Sequence, residues 1–177
     1  MTTDIVAESD RLILRPWGPD ELSVLHGILS HAETMKQWPA PLSDAYIKSW
    51  HDWAQELWAE RKLGRWALVR KSDGAVIGDC GLVPMELQGS AYTDLGYIVH
   101  ADHHGQGYGE EAARAILAVG RARADIDPLV IHMAEDHLRS KRVAEKLGFV
   151  ENFRFVHPEN AGKTHIVFTD GLTAIPR

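Results

Sequence analysis

Residues 94–113 constrain the fold of this chain more than any other segment. A strand-like apolar stretch passes into a turn that carries Gly105, Gly107 and Gly109, and a helical pattern follows at once. Glycine accepts backbone conformations that other residues avoid, and it has no β-carbon to keep a ligand away. The first N–H groups of a helix have no intrahelical partner, and the helix dipole adds partial positive charge there. The segment therefore predicts a strand, a tight turn and a helix that together bind an anion such as a pyrophosphate.

The spacing of these glycines narrows the choice of ligand. The pattern is G-x-G-x-G, whereas the dinucleotide fingerprint requires G-x-G-x-x-G. A P-loop would need Gly-Lys-Ser or Gly-Lys-Thr, which does not follow here. Ordinary surface turns are also rich in glycine. On this segment alone, a turn that binds a phosphorylated cofactor and a plain turn both remain open.

The rest of the chain predicts an α/β domain. Ser43, shortly after two prolines, is a good N-cap for a helix, and Gly148 is a good C-cap for another. No linker, repeat or low-complexity tract divides the chain, so residues 1–177 are expected to form one domain with a mixed sheet and helices on both faces. The predicted strands are 11–17, 66–69, 75–83, 91–99, 129–133, 150–156 and 164–169, and the predicted helices are 20–29, 43–62, the stretch with Ala112, Ala113, Ile116, Leu117 and Gly120 on its inner face, and 138–147.

Composition excludes several classes of protein. A hydrophobic fraction of 45% is typical of a globular chain, and no apolar run approaches the ~20 residues of a membrane span. The net charge of −6 argues against nucleic acid and fits a cationic substrate such as an amine. A single cysteine and a start without signal-peptide features favour the cytoplasm. We expect no membrane partner, and a monomer or a homodimer.

Four segments in order resemble the GNAT superfamily of N-acetyltransferases. Residues 104–109 are similar to its R/Q-x-x-G-x-G/A signature, which holds the pyrophosphate of acetyl-coenzyme A, and residues 140–150 are similar to the helix that ends in Gly-Phe. Residues 11–17 and 66–78 resemble the opening strand and the central hairpin of the branch that contains the ribosomal-protein N-terminal acetyltransferases. The resemblance implies the GNAT fold, with a mostly antiparallel, twisted sheet of about six or seven strands.

The resemblance also implies a cofactor site and a direct transfer of the acetyl group to an amine. A bulge in the central strand would face the thioester oxygen with a free N–H group. Basic residues near the second motif could meet the phosphates of the coenzyme. The positions assigned to acetyl-coenzyme A are Tyr97, Ile98, Val99, His104, Gly105, Gln106, Gly107, Tyr108, Gly109, Glu110, Ser140 and Arg142.

The catalytic residues are less directly implied. Asp94 is the first candidate for the base that takes the proton of the amine, with a solvated strand carboxylate as the alternative, and Glu135 is the second candidate. Many relatives use a tyrosine as the acid, but Ala144 stands at that position, so Ser140 is the expected substitute. His137, which replaces the Asn of the N-x-x-S motif, is grouped with the catalytic candidates.

Other features carry weaker expectations. His104 replaces the Arg or Gln of the signature and keeps a hydrogen-bond donor there, although imidazole titrates near neutrality. Cys80 lies within a predicted strand and is expected to be a small core residue. His100 and His103 cluster with His104, but without a further ligand at zinc-site spacing, so no metal is expected.

The acceptor is expected to bind along the first third of the chain. Trp38, which stands in a proline-rich loop, is the expected substrate-binding residue, whereas Trp50 and Trp53 follow helical spacing and are expected in the core. The amine is either a small molecule or a protein N-terminus. A non-catalytic acyl-coenzyme A binding or regulatory module is the main alternative, and a different cofactor chemistry at the same turn is the third.

Overall fold

A computed structural model describes residues 4–170 of the chain. Within that range one eight-stranded sheet has the order β1-β2-β3-β4-β5-β6-β8-β7. The strands are β1 (Ala7–Glu8), β2 (Leu12–Pro16), β3 (Gly64–Arg70), β4 (Val76–Leu87), β5 (Ser90–Val99), β6 (Leu129–Ala134), β7 (Val150–Val156) and β8 (Thr164–Thr169). The helices are α1 (Leu22–Leu29), α2 (Asp44–Arg61), α3 (Tyr108–Arg121) and α4 (Leu138–Lys146), with a short 3₁₀ turn at Ala101–His103.

All neighbouring strands are antiparallel except β5 and β6. That parallel pair matches only Thr93 with Leu129 and Asp94 with Val130. Beyond Asp94 the two strands diverge, although β5 continues to Val99. A gap therefore separates β5 from β6 beyond Asp94, near the centre of the sheet.

The helices cover both faces of the sheet, as predicted. Alternate residues of a strand point to opposite faces. In β3, Trp66 and Leu68 pack in the core beneath α3 and α4, whereas Ala67 and Val69 pack with α1 and α2. The two cores are thus separated by the sheet, and each side chain of the central strands belongs to one face or the other.

Capping residues in the sequence correctly predicted the start of α2 and the end of α4. The Ser43 side chain accepts a hydrogen bond from the Tyr46 N–H at the start of α2, and Lys62 ends that helix in the left-handed conformation. The inner face predicted for α3 is buried along its length, including Ala112 and Ile116. Gly148 follows α4 with φ of 85°, as expected for a residue that ends a helix.

The strand count is slightly higher than predicted. The two-residue strand β1 adds an eighth, and β4 runs to Leu87 instead of ending at Val83. A strand of two residues has no periodicity to detect, and β4 extends because it pairs with β5 over its whole length. No helix in residues 4–170 is long and apolar enough to cross a membrane.

Candidate active site

A cleft of about 1100 Å³ opens where β5 and β6 separate. Its walls come from the end of β5, the turn at 104–109, the first residues of α3 and α4, and the segment from Thr34 to Trp53. The cleft passes through the gap in the sheet and therefore reaches both of its faces. It brings together residues that are up to 131 positions apart, from Thr34 to His165.

The end of β5 presents unpaired backbone donors to this gap. Thr93 donates its N–H to Pro128 on the β6 side, and His100 donates its own to Ile77 on the β4 side. N–H directions alternate along a strand, so the N–H groups of Tyr97 and Val99 point toward the gap. The pairing of β4 with β5 is regular throughout, so the implied bulge is absent. The free N–H groups arise because β6 turns away, and the donor of Ile98 points to β4.

The glycine turn has the backbone that the sequence predicted. Gly105 and Gly107 have φ of 76° and 83°, a region that residues with a β-carbon rarely adopt. A β-carbon added at Gly105 would meet nothing within 4 Å, so its outer surface is open to a ligand. A β-carbon at Gly109 would lie 2.9 Å from the Tyr97 ring, so this glycine allows α3 to approach β5.

Arg11 contacts the glycine turn through its guanidinium group, a role that the sequence did not predict. Its guanidinium donates to the Gln106 carbonyl at 3.0 Å and lies 4.5 Å from the centre of the Tyr108 ring. It is held in turn by Glu111, whose carboxylate lies 2.6 Å from Arg11 Nη2. The Glu111 pKa is lowered because hydrogen bonds from Ser9 and Arg11 outweigh its partial burial. The partners are 100 residues apart, so only the fold brings them together.

The two histidines that replace motif residues both have structural partners. His104 Nε2 donates to the Val99 carbonyl at 2.8 Å, which ties the turn to the end of β5. His137 Nδ1 accepts the Ser140 N–H at 3.2 Å and so caps α4. Burial lowers the His137 pKa, which keeps the ring neutral and able to accept that hydrogen bond. Both rings are thus engaged with backbone groups of the chain.

Ser140 and Tyr97 meet at the centre of the cleft. Their hydroxyl oxygens are 3.4 Å apart. Burial raises the pKa of Tyr97, so its phenol stays protonated and can donate. The structure therefore places two hydroxyl groups, instead of one, near the position expected for the acid.

Asp94 lies on the other face of the sheet from Tyr97, since the two residues are three positions apart in β5. One carboxylate oxygen is 3.8 Å from His132 Nε2, and the other is buried without a hydrogen-bond partner among the described residues. His132 belongs to a group with His157 and His165 on the cleft wall. Burial, with repulsion from the other two rings, lowers the pKa of His165 to about 3. The His165 ring is therefore neutral at physiological pH.

Aromatic side chains form the wall near the first third of the chain. Trp38 lies in the cleft, as predicted, and its ring packs edge-on against Trp50 at 6.3 Å. Trp50 and Trp53 were expected in the core, but both line the cleft, and Trp53 is 36% exposed. Helical spacing predicted one buried stripe on α2, but the buried stripe contains Ile47, His51 and Ala54 instead.

Four of the residues considered in the sequence lie outside the cleft. Gln106 and Arg142 are exposed and do not line it, so their predicted contact with the cofactor has no support from the geometry. Glu135 pairs with Arg154 on the surface at 3.1 Å and cannot reach an amine in the cleft. Cys80 is fully buried in the core, as expected, and burial raises its pKa far above the ordinary value.

Charged side chains around the start of α3 are mostly paired with one another. The Glu110 carboxylate is 2.9 Å from Arg114 and 2.7 Å from Lys146, which lowers its pKa, and Lys141 lies 3.7 Å from Glu151. Glu110 therefore offers a ligand its backbone N–H and not its side chain. Arg139 is the one member of the basic group at 139–142 whose side chain borders the cleft together with Ser140.

Comparison with known proteins agrees with this geometry. The family model for the GNAT acetyltransferase domain matches residues 11–150. The chain therefore belongs to the GNAT family of N-acetyltransferases, which use acetyl-coenzyme A as the acetyl donor.

Individual relatives are more distant. YkkB of Bacillus subtilis is 28% identical over 141 residues, which cover 79% of this chain and 82% of YkkB. A putative GNAT acetyltransferase from Bordetella pertussis superposes with a TM-score of 0.76 at 21% identity, over 91% of this chain and 96% of that one. RimL, a ribosomal L7/L12 α-N-protein acetyltransferase, superposes with a TM-score of 0.77 at 19% identity, over 95% and 94% of the chains. At these identities the solved structures establish the GNAT fold alone.

Proposed function

We propose that this protein transfers the acetyl group of acetyl-coenzyme A to a primary amine by direct attack, without a covalent enzyme intermediate. The observation that carries the proposal is the gap between β5 and β6. It places unpaired backbone donors beside an anion-binding turn on one face of the sheet, and a carboxylate beside an aromatic wall on the other face. Two substrates can thus approach the same point from opposite sides.

The residues of the turn and of β5 fit the coenzyme. Gly105 leaves open space beside the first N–H groups of α3, which suit a pyrophosphate. The Tyr97 and Val99 N–H groups suit a carbonyl oxygen that gains negative charge. When bound there, acetyl-coenzyme A supplies the activated acyl group as a thioester. Cys80 is buried in the core and plays no part, which agrees with direct transfer.

The acceptor side suits a protonated amine that must lose its charge. The Trp38 and Trp50 rings can hold an ammonium group by cation–π attraction. Asp94 lines the same cleft, with one carboxylate oxygen that has no hydrogen-bond partner among the described residues, and is the residue best placed to accept the proton. A protein N-terminus and a small-molecule amine both fit this description. The similarity of fold to RimL favours testing a protein N-terminus first.

Two hydroxyl groups can supply the proton that the departing sulfur requires. Ser140 is the residue named by the sequence, and the Tyr97 phenol lies within 3.4 Å of it. We assign Ser140 as the donor and Tyr97 as its hydrogen-bonded support. His137 acts indirectly, because its ring caps the helix that carries Ser140.

The experiment is release of free coenzyme A thiol by the purified protein with acetyl-coenzyme A and a panel of amines. The panel contains peptides with free N-termini, polyamines and amino acids, with an N-terminally blocked peptide as control. We expect thiol release with at least one free amine and a large loss of rate in Asp94→Asn. Tight binding of acetyl-coenzyme A without thiol release from any amine would favour the non-catalytic module instead.

A further inference from the structure

Three histidines from separate segments converge on the acceptor side of the cleft. His132 lies in β6, His157 directly follows β7, and His165 lies in β8. Each offers a ring nitrogen, and these three atoms all lie within 4.8 Å of one another. We propose that this three-histidine cluster (His132, His157 and His165) binds a divalent transition-metal ion, of which zinc is the best match.

The register of the sheet explains why the three rings meet. His165 stands opposite Ala134 in β6 and opposite Phe155 in β7. His132 and His157 are each two residues from those partners, so all three side chains lie on the same face as diagonal neighbours. The strand that carries His165 lies between the other two. The cluster is therefore fixed by three paired strands and not by a loop.

The geometry suits metal coordination by nitrogen. The Nδ1 atoms of His132 and His165 are 3.0 Å apart. Two ring nitrogens bound to one tetrahedral zinc ion at 2.0–2.1 Å would lie roughly 3.3 Å apart. The ring centres of His157 and His165 are 4.6 Å apart, and a ring nitrogen of each of the three histidines lies within 4.8 Å of the other two. Three histidines with one open position are a common arrangement for zinc.

Oxygen atoms without partners stand beside the cluster. Asp94 Oδ1 and Asn160 Oδ1 are buried and have no hydrogen bond within the described part of the chain. The Asp94 carboxylate also approaches His132 to 3.8 Å. A buried polar atom without a partner requires an explanation, and a bound ion is one that fits oxygen atoms beside three imidazoles. A cation held by the histidines would place positive charge next to the carboxylate.

Asn160 can supply the outer hydrogen bond that a metal-bound histidine requires. Its Nδ2 is now 2.7 Å from His165 Nε2. Coordination through Nδ1 places the ring hydrogen on Nε2, and a half-turn of the amide presents Oδ1 to accept it. That half-turn replaces the Nδ2 contact with His165 by an Nε2–H to Oδ1 hydrogen bond, and it removes a long 3.5 Å contact of Nδ2 with Gln37. Asn160 Oδ1, which has no partner among the described residues, then accepts a hydrogen bond.

The proposed metal ion would lie beside the part of the cleft in which the amine is proposed to bind. All three histidines and Asp94 line the cleft, so the open coordination position points into it. We therefore expect the bound metal to slow acetyl transfer by occupying the acceptor side. This consequence rests on the proposed function, whereas the metal site itself does not. This site could not be predicted from the sequence, because the three positions follow no metal-binding spacing and lie apart from His100, His103 and His104.

The test is calorimetric titration of the full chain, without a polyhistidine tag and after chelator treatment. ZnCl₂ is the probe, with MgCl₂ as a control because magnesium prefers oxygen ligands. We expect one zinc ion per chain, no heat with magnesium, and at least a tenfold weaker zinc affinity in His157→Ala. His26→Ala, which removes a surface histidine that pairs with Asp44 instead, should bind zinc like the wild type.

A second readout identifies the ligands directly. Cobalt(II) bound by the three nitrogens in a tetrahedral site should give visible absorption bands that zinc displaces, and His157→Ala should lose them. Absence of saturable zinc binding, or equal zinc affinity in His157→Ala and the wild type, would overturn the proposal and leave a hydrogen-bonded histidine cluster. Thiol release by the metal-free protein is measured separately, so the metal site and the acetyltransferase activity can fail independently.

Discussion

At the scale of single residues, the cleft holds two hydroxyl groups, those of Ser140 and Tyr97, where a single general acid was expected. We expect Ser140→Ala to lower kcat by about a hundredfold, the lower range for loss of a general acid, with little change in the KM for acetyl-coenzyme A. Tyr97→Phe should reduce kcat by a smaller factor, because Ser140 keeps its own hydroxyl. Steady-state kinetics of thiol release with both variants checks this order. A larger loss in Tyr97→Phe than in Ser140→Ala would reverse the two roles.

His137 gives a pH dependence whose sign follows from its lowered pKa. Burial holds the folded pKa below the ordinary value of 6.5, so the unfolded chain binds the proton more readily. The contribution of His137 to stability is therefore complete above pH 6.5 and is lost as the pH falls toward the folded pKa. An asparagine at this position also caps a helix but does not titrate.

We accordingly expect the difference in unfolding free energy between the wild type and His137→Asn to shift in favour of the variant as the pH falls. Urea denaturation at pH 7.5 and pH 5.5 measures that difference. Other histidines affect both proteins equally, so the comparison isolates position 137. A difference that stays constant between the two pH values would contradict the assignment of His137 as a neutral cap.

At the scale of elements, the close approach of α3 to β5 depends on Gly109. A β-carbon there would lie 2.9 Å from the Tyr97 ring, so Gly109→Ala must displace the ring or the helix. We expect Gly109→Ala to weaken the binding of acetyl-coenzyme A by about tenfold, which calorimetry can measure. That factor corresponds to about 1.4 kcal/mol.

Gly27 in α1 is a matched control for this substitution. It also lies in a helix, but an added β-carbon would meet nothing within 4 Å. Gly27→Ala should raise the unfolding free energy by about 0.5–1 kcal/mol, since alanine favours a helix, and leave cofactor affinity unchanged. Equal effects of Gly27→Ala and Gly109→Ala on affinity would show that the contact with Tyr97 is unimportant.

At the scale of the whole molecule, a buried ion pair joins the strands beneath the cleft. Asp79 in β4 is fully buried, and it receives hydrogen bonds from Arg65 in β3 at 2.7 Å and from Trp17 at 2.9 Å. Removal of one partner leaves the other charge buried and unpaired. We therefore expect Asp79→Ala to lower the unfolding free energy by about 3–5 kcal/mol, measured by urea denaturation.

The exposed pair of Arg70 and Asp73 provides the comparison. Its atoms are equally close, at 2.6 Å, but the carboxylate is 47% exposed. Exposed ion pairs contribute little to stability, so Asp73→Ala should be nearly neutral. A comparable loss of stability in Asp73→Ala and Asp79→Ala would mean that burial is not the reason for the effect.

The glycine turn is the part of the candidate site that the sequence predicted best. Its residues are contiguous, so the spacing of Gly105, Gly107 and Gly109 predicted both the turn and the helix after it. The sequence also predicted that Tyr97 and Ser140 belong to the site, and both line the cleft. The implied bulge was wrong, because divergence of β6 from β5 frees the same backbone donors.

The part of the cleft that is proposed to bind the amine was predicted less well. Trp38 lies in the cleft as expected. Trp50 is half-buried and packs against the core while it also lines the cleft, but the placement of Trp53 was wrong because helical spacing does not tell which stripe of α2 faces the sheet. Arg11 and the three-histidine cluster were not foreseen. Their partners come from strands that are distant in the chain, and single-residue patterns carry no information about them.

The sequence by itself determined the family, the order of the elements and the glycine-rich turn. These depend on periodicity, capping and backbone freedom, which act over a few neighbouring residues. Only the tertiary structure decided where β5 and β6 separate, that Arg11 holds the turn, and that three histidines meet beside Asp94. Those features depend on which distant strands pair and in what register, and register is selected by the packing of both faces of the sheet at once.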